Sequence, residues 1–120
     1  MGLSYDLDAE RAVLGGCMID PLALDSVSEI LSGPGDFYRD AHAEIYAAMM
    51  QLHAAGRGID MIAVCDALRG ERRLELIGGA AYMDGLIEAV SCSAHIEDYA
   101  RIVADTAVKR RLYLAGQEIA

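Results

Sequence analysis

A chain of 120 residues, 54% apolar and 24% charged, is long enough to bury one substantial core and too apolar to be a disordered acidic tail. Ten cations against nineteen carboxylates leave a net charge of −9, which repels a polyanion and argues against strong direct nucleic-acid binding. No apolar run reaches the ~18 residues of a membrane span, and the stretch from Met1 to Asp6 lacks the basic and apolar segments of a secretion signal, so a cytoplasmic domain free of the membrane is expected.

The periodicity predicts helices almost throughout. The first runs from about Asp8 to Ile19, with Asp8 as N-cap and Ala12, Val13 and Cys17 along one stripe. Asp20-Pro21 pairs a capping residue with proline at a first helical position, so a second helix is predicted from Pro21 to Leu31, with Leu24, Val27, Ile30 and Leu31 inward. Gly33-Pro34-Gly35 stops it. A third helix, about Asp40 to Ala55, buries His42, Ile45, Tyr46, Met49, Leu52 and His53, and Gly56 closes it at C′. Asp60 caps a short helix containing Met61, Val64, Cys65 and Leu68. Arg69 to Glu75 is polar and expected to be loop, Gly78-Gly79 a turn, and Ala80 to Ala89 a helix carrying Tyr82, Met83, Leu86 and Ile87. From about Ser93 a single long helix follows. Alternation never persists long enough for a strand, so the expected fold is all-α, a compact bundle of about five to six helices ending in that long one.

The long helix changes its apolar side. Ile96, Tyr99, Ala100, Val103 and Ala107 form one stripe, opposite Glu97, Asp98, Arg101 and Asp105. Beyond Ala107 the charged sector turns apolar, filled by Val108, Leu112, Ala115 and Ile119, while Arg110, Arg111 and Glu118 flank the old stripe and Leu114 stays on it. A helix on one core keeps one apolar side, so the switch favours a helix that leaves the body to meet a partner. The alternative is a helix buried all round in its own domain, or one merely cut short at Ala120. The stripe Val108, Leu112, Ala115 and Ile119 is the candidate subunit interface.

Catalytic and metal signatures are missing from the pattern. There is no phosphate loop, and the only lysine, Lys109, sits inside a helix. His42 and His53 are too far apart for an i, i+4 metal pair, and His42 on an apolar face favours a structural role over a ligand or base. Cys17, Cys65 and Cys92 are widely spaced, odd in number and without a sequence-local activating partner, as expected of inert core thiols. Glu10 with Asp6 suits charge compensation at a helix N-terminus. The basic clusters Arg69/Arg72/Arg73 and Lys109/Arg110/Arg111 favour solvated or subunit-pairing roles over a nucleic-acid patch. No catalytic, metal or cofactor residue is assigned; the pattern is that of a binding and assembly module.

These segments also resemble the N-terminal domain of the bacterial DnaB-type replicative DNA helicase family. The likeness is carried in order by Ala9-Glu10, Val13-Leu14-Gly15 and Asp20-Pro21; by Asp36-Phe37-Tyr38 with His42 and Ile45-Tyr46; by Gly56, Ile59-Asp60 and Val64; by Leu74, Ile77-Gly78-Gly79 and Tyr82-Met83; and by Ile96, Tyr99-Ala100-Arg101 and Ile102-Val103. It departs at Leu3 to Leu7, where the family has a proline-containing lead-in, and at Ser91-Cys92 and His95, which replace its usual proline and asparagine. The resemblance implies a globular collar domain over residues 1–95. It makes residues 96–120 the first arm of a dimerisation hairpin, cut before its second arm and the ATPase domain.

In the family the collar is a trimer of dimers that also receives the primase's C-terminal helical domain, and a helicase loader is a possible further partner. By resemblance, Tyr82, Tyr113 and Ile119 match the primase-binding surface. ATP and Mg belong to the missing ATPase domain of an ATP-dependent, 5′-to-3′ unwinding enzyme, so this stretch is expected to bind no cofactor and to be inactive alone. Two other readings remain: a stand-alone helical adaptor or regulator of phage or plasmid origin that mimics the collar, and a small helical enzyme using His42.

Overall fold

The computed structural model describes residues 3–70, 72–88, 90 and 95–119, with the side chains of 118 and 119 excluded. Its helices are α1 (Leu7–Ile19), α2 (Ala23–Ile30), α3 (Asp40–Ala54), α4 (Met61–Arg69), α5 (Arg73–Leu76), α6 (Gly79–Glu88) and α7 (Ile96–Ile119), with a 3₁₀ turn at Pro34–Asp36. No strand occurs among the described residues. The all-α expectation holds, with seven helices in place of five or six. The addition is α5, inside the stretch expected to be loop, where Leu74 and, just beyond, Ile77 are buried and pin an otherwise polar segment to the core.

Local signals moved other boundaries. Asp6, in extended backbone, caps α1 by accepting from the Ala9 amide at 3.0 Å, whereas Asp8 lies exposed in the first turn and pairs with Arg11 at 2.7 Å. Asp20, Pro21 and Leu22 form a turn instead of opening α2; the Asp20 and Pro21 carbonyls accept from Ala23 and Leu24 at 3.0 and 3.2 Å. Gly56 does end α3: at φ 71 it lets its own amide reach His53 O at 3.0 Å and the Arg57 amide reach Leu52 O at 2.9 Å. His53, expected inside, is exposed and pairs with Asp25 at 2.9 Å. The long helix begins at Ile96; Ser93 and Ala89, expected helix ends, lie outside the described residues.

Helix α1 is the hub, packing against α2, α3, α6 and α7. Val13, Leu14 and Cys17 on it are fully buried among Leu24, Val27, Ile45, Met49, Met83, Leu86 and Val103. Each such large aliphatic contributes roughly 1.5–3 kcal/mol through removal from water. Gly15 and Gly16 set the approach distance: a Cβ on Gly15 would sit 2.3 Å from the Leu86 carbonyl oxygen, and one on Gly16 2.7 Å from Ile96 Cδ1. Two glycines thus bring α6 and the start of α7 onto the backbone of α1.

Candidate functional site

Three helices meet around a polar cluster in this core. Glu10 on α1 is fully buried. Its carboxylate accepts from the Tyr38 amide at 2.7 Å, more distantly from the Arg39 amide at 3.4 Å, and from His42 Nδ1 on α3 at 2.7 Å. With the proton on Nδ1, the neutral ring accepts at Nε2 from the Tyr82 hydroxyl of α6, 2.5 Å away. The Arg39 guanidinium lies 4.9 Å from the Tyr82 ring centroid. The order carboxylate–imidazole–phenol is that of a catalytic relay, but both ring nitrogens are engaged inside the protein and His42 is fully buried. What the arrangement does is satisfy buried polar groups while tying α1, α3 and α6 together.

The first part of α7 packs as its stripe predicts, with Ile96, Ala100, Val103 and Ala107 buried and Tyr99 half-buried. The helix then leaves the body. Val108 is 51% exposed, Leu112 69% and Leu114 50%, with Ala115 exposed too. Leu114, on the old stripe, is therefore no longer covered. Twenty-four residues at 1.5 Å per residue give α7 a length of about 36 Å.

The point of departure is clamped by arginine. Arg110 is buried, donating to the Ser4 carbonyl at 2.9 Å and the Asp36 carbonyl at 2.7 Å, with its guanidinium 5.5 Å from the Tyr38 ring, which stacks on Tyr5. Arg111 pairs with the Asp36 carboxylate, which also accepts from Ser32 N at 2.9 Å and Ser32 Oγ at 2.6 Å. The basic cluster is expected from the sequence to be solvated or to pair with another subunit; Arg110 is instead buried on its own chain, while Lys109 and Arg111 are exposed, Arg111 still reaching back to Asp36. In the other cluster Arg73 pairs with Glu44.

Burial raises the Asp36 carboxyl, but its Ser32 hydrogen bonds and the Arg111 guanidinium prevail and hold it below the ordinary value of 3.8. A carboxyl depressed on folding stabilises above its unfolded value and loses that contribution as pH falls through the folded one. Urea midpoints measured against pH should therefore show Asp36→Asn less stable than the parent at pH 7, with the gap closing below pH 3.8. A gap that does not change with pH would mean that Asp36 acts by shape alone.

The predicted site residues fall in separate places. Val108, Leu112 and Ala115 line the exposed end of α7, and the Ile119 side chain lies outside the described residues. Tyr113 is half-buried on the same stretch. Tyr82 is also half-buried, but its hydroxyl is committed to His42. Helices α6 and α7 both pack on α1 and scarcely touch each other, so Tyr82 and Tyr113 are not joined through a shared helix packing. Burial, with a smaller effect of Asp20, pushes the Cys17 thiol up to about 12, and burial raises Cys65 as well; both are buried, and Cys92 is outside the described residues. Among the described residues no group of His, Cys, Asp and Glu is arranged to hold a metal ion, and no helix is long and apolar enough to cross a membrane.

Sequence and structural comparison bear on these features. The family described as DnaB-like helicase N terminal domain matches residues 2–105. The chain is 44% identical over 114 residues to the replicative DNA helicase DnaB of Geobacillus stearothermophilus, covering 95% of the chain and 25% of that relative. It thus spans about a quarter of that protein's length. It is similar to the crystal structure of the N-terminal domain of DnaB helicase from Mycobacterium tuberculosis, with a TM-score of 0.95, 41% identity, and coverage of 98% of this chain and 81% of that one. It is also similar to a solved structure of a DnaB-like replicative helicase and its interactions with primase, with a TM-score of 0.79, 25% identity, and coverage of 95% and 27%.

Proposed function

The chain belongs to the DnaB-like helicase N-terminal domain family, and from that premise we propose that it is the collar of a hexameric, ATP-dependent 5′-to-3′ replicative helicase, assembling the subunits and receiving primase. In this reading residues 1–95 are the globular part and residues 96–120 the first arm of a dimerisation hairpin. Collars pair into a trimer of dimers in the cytoplasm, a loader is a further possible partner, and nucleotide and Mg chemistry belongs to an ATPase domain elsewhere in the protein. The observation that carries the reading is the apolar stripe Val108, Leu112 and Ala115, continuous with a packed helix yet exposed. Such a surface is costly to leave in water and each large side chain buried by a partner gains roughly 1.5–3 kcal/mol.

Leu112→Asp is the direct test. Sedimentation of the variant should shift toward monomer with helicity unchanged, because Leu112 makes little contact with its own fold. A wild type that associates and a variant that associates equally would remove this stripe from the interface.

Primase docking is assigned to Tyr82, Tyr113 and Ile119. A relative's solved structure describes interactions with primase, and tyrosine offers a large apolar area with a polar tip. Tyr113→Ala is the cleaner probe, since Tyr82 also serves the core. In calorimetric titration of the complete collar with the cognate primase C-terminal domain, folded Tyr113→Ala and Tyr82→Ala variants should each lose more than ~1 kcal/mol of binding. Wild-type affinity in both would refute this docking surface while leaving the assembly reading intact.

A further inference from the structure

The far side of α6 carries a second, unrelated surface. Advancing about 100° per residue from Tyr82, Ile87 lies at about 140°, Asp84 at about 200° and Glu88 at about 240°, with the buried Met83 and Leu86 between Tyr82 and Ile87. There α6 faces the end of α1 and the start of α4 across a groove of about 580 Å³. Its apolar wall includes Ile19, Met61, Ile62 and Ile87. Ile62 is 78% exposed, a large β-branched side chain held in water by a rigid helix. Methionines at the wall add surface that adapts its shape to what it meets.

The polar rim has one sign. Asp60, Asp84 and Glu88 line the groove, and among the described residues no lysine or arginine does. Asp60 is occupied in part as the cap of α4, accepting from Ala63 N at 2.9 Å. Asp84 and Glu88 have no ion-pair partner among the described residues. They stand one turn apart on α6, so their charges repel unless a cation is placed between them. An apolar trough edged by uncompensated carboxylates is complementary to a helix with one apolar face bordered by lysine or arginine.

We infer that this groove docks a basic amphipathic helix of a partner protein. The inference goes beyond collar assembly and primase docking and uses none of their residues. The apolar face of the helix lies along Ile19, Ile62 and Ile87, and its basic border meets Asp84 and Glu88. A second copy of the chain is the alternative occupant, through the exposed end of its own α7.

The probe is a fluorescein-labelled peptide of about 18 residues, roughly five helical turns, with leucine at i, i+3, i+4 and i+7 and lysine at the borders. A peptide of the same composition, scrambled to remove the apolar face, controls for attraction to an acidic protein. Anisotropy titration of the 120-residue chain should show the patterned peptide binding at least about tenfold more tightly than the scrambled one. Ile62→Glu and Asp84→Lys should each weaken it about tenfold, and Glu29→Lys, the same charge change on exposed α2 outside the groove, by less than about twofold. All three positions are exposed, and circular dichroism checks that the variants fold. Equal effects of Asp84→Lys and Glu29→Lys, or full affinity in Ile62→Glu, would overturn the proposal. So would Ile62→Glu dissociating self-associated protein while peptide binding stays unchanged, since the occupant would then be a second copy.

Discussion

Gly15→Ala is expected to destabilise the fold by about 2–3 kcal/mol, while Gly16→Ala, one residue on, is expected to be close to neutral. Both changes gain about 1 kcal/mol of helix propensity. They differ in what the new methyl meets. At Gly15 it meets backbone, 2.3 Å from Leu86 O and 2.9 Å from Leu86 C, with Val90 Cγ2 at 2.7 Å. Neither helix can yield alone, so α6 must move off α1, and overpacking that moves backbone costs at the upper end of the usual ~1–3 kcal/mol or beyond it. At Gly16 the obstacle is Ile96 Cδ1 at 2.7 Å, the far end of a side chain that can rotate. Urea denaturation with the slope unchanged is the measurement. Equal losses at the two positions would mean that the close approach of α6 to α1 is not what Gly15 provides.

That contrast also shows where the sequence stops being informative. Helix existence was legible because apolar spacing is local: α1, α3, α4 and α6 follow from windows of about a dozen residues, and so does the change of apolar side near Val108. Gly15-Gly16 within α1 registers locally only as lost propensity; that two other helices need the space depends on residues far along the chain. Arg110 and Arg111 were ambiguous for the same reason, because their partner Asp36 lies 74 and 75 residues away. The exposed state of Leu112 was foreseeable from the switch of sides. The groove at Ile62 was not, since it is formed by three helices whose sequence order says nothing about their adjacency.

Glu10 is the sharper case. Beside Asp6 it suits charge compensation at a helix N-terminus, yet it lies three and four residues before Val13 and Leu14, within the stripe that packs inward. A carboxylate on a buried stripe needs donors, and its donors, Tyr38 and His42, are 28 and 32 residues away.

Removing that carboxylate should be among the costliest single changes in the domain. Glu10→Ala leaves the part-buried Tyr38 amide and the fully buried His42 Nδ1–H without their acceptor. Each orphaned donor costs roughly 1–3 kcal/mol, so a loss of about 4 kcal/mol is expected. That is a large share of the ~5–15 kcal/mol typical of a domain. At about 4 °C per kcal/mol for a chain of this size, the midpoint of thermal unfolding should fall by about 15 °C. Glu10→Gln should recover more than half of this. Its amide oxygen accepts from Tyr38, and its NH₂ donates to His42 once the imidazole proton moves from Nδ1 to Nε2, which then donates to the Tyr82 oxygen instead of accepting from it. The rescue depends on a hydroxyl at Tyr82, which can both donate and accept. Tyr82→Phe in the Glu10→Gln background should therefore cost more than the same change in the parent, because there it strands an Nε2–H donor and not merely a lone pair. Equal losses for Glu10→Ala and Glu10→Gln, or identical costs of Tyr82→Phe in the two backgrounds, would mean that the carboxylate, imidazole and phenol do not act as one hydrogen-bonded unit.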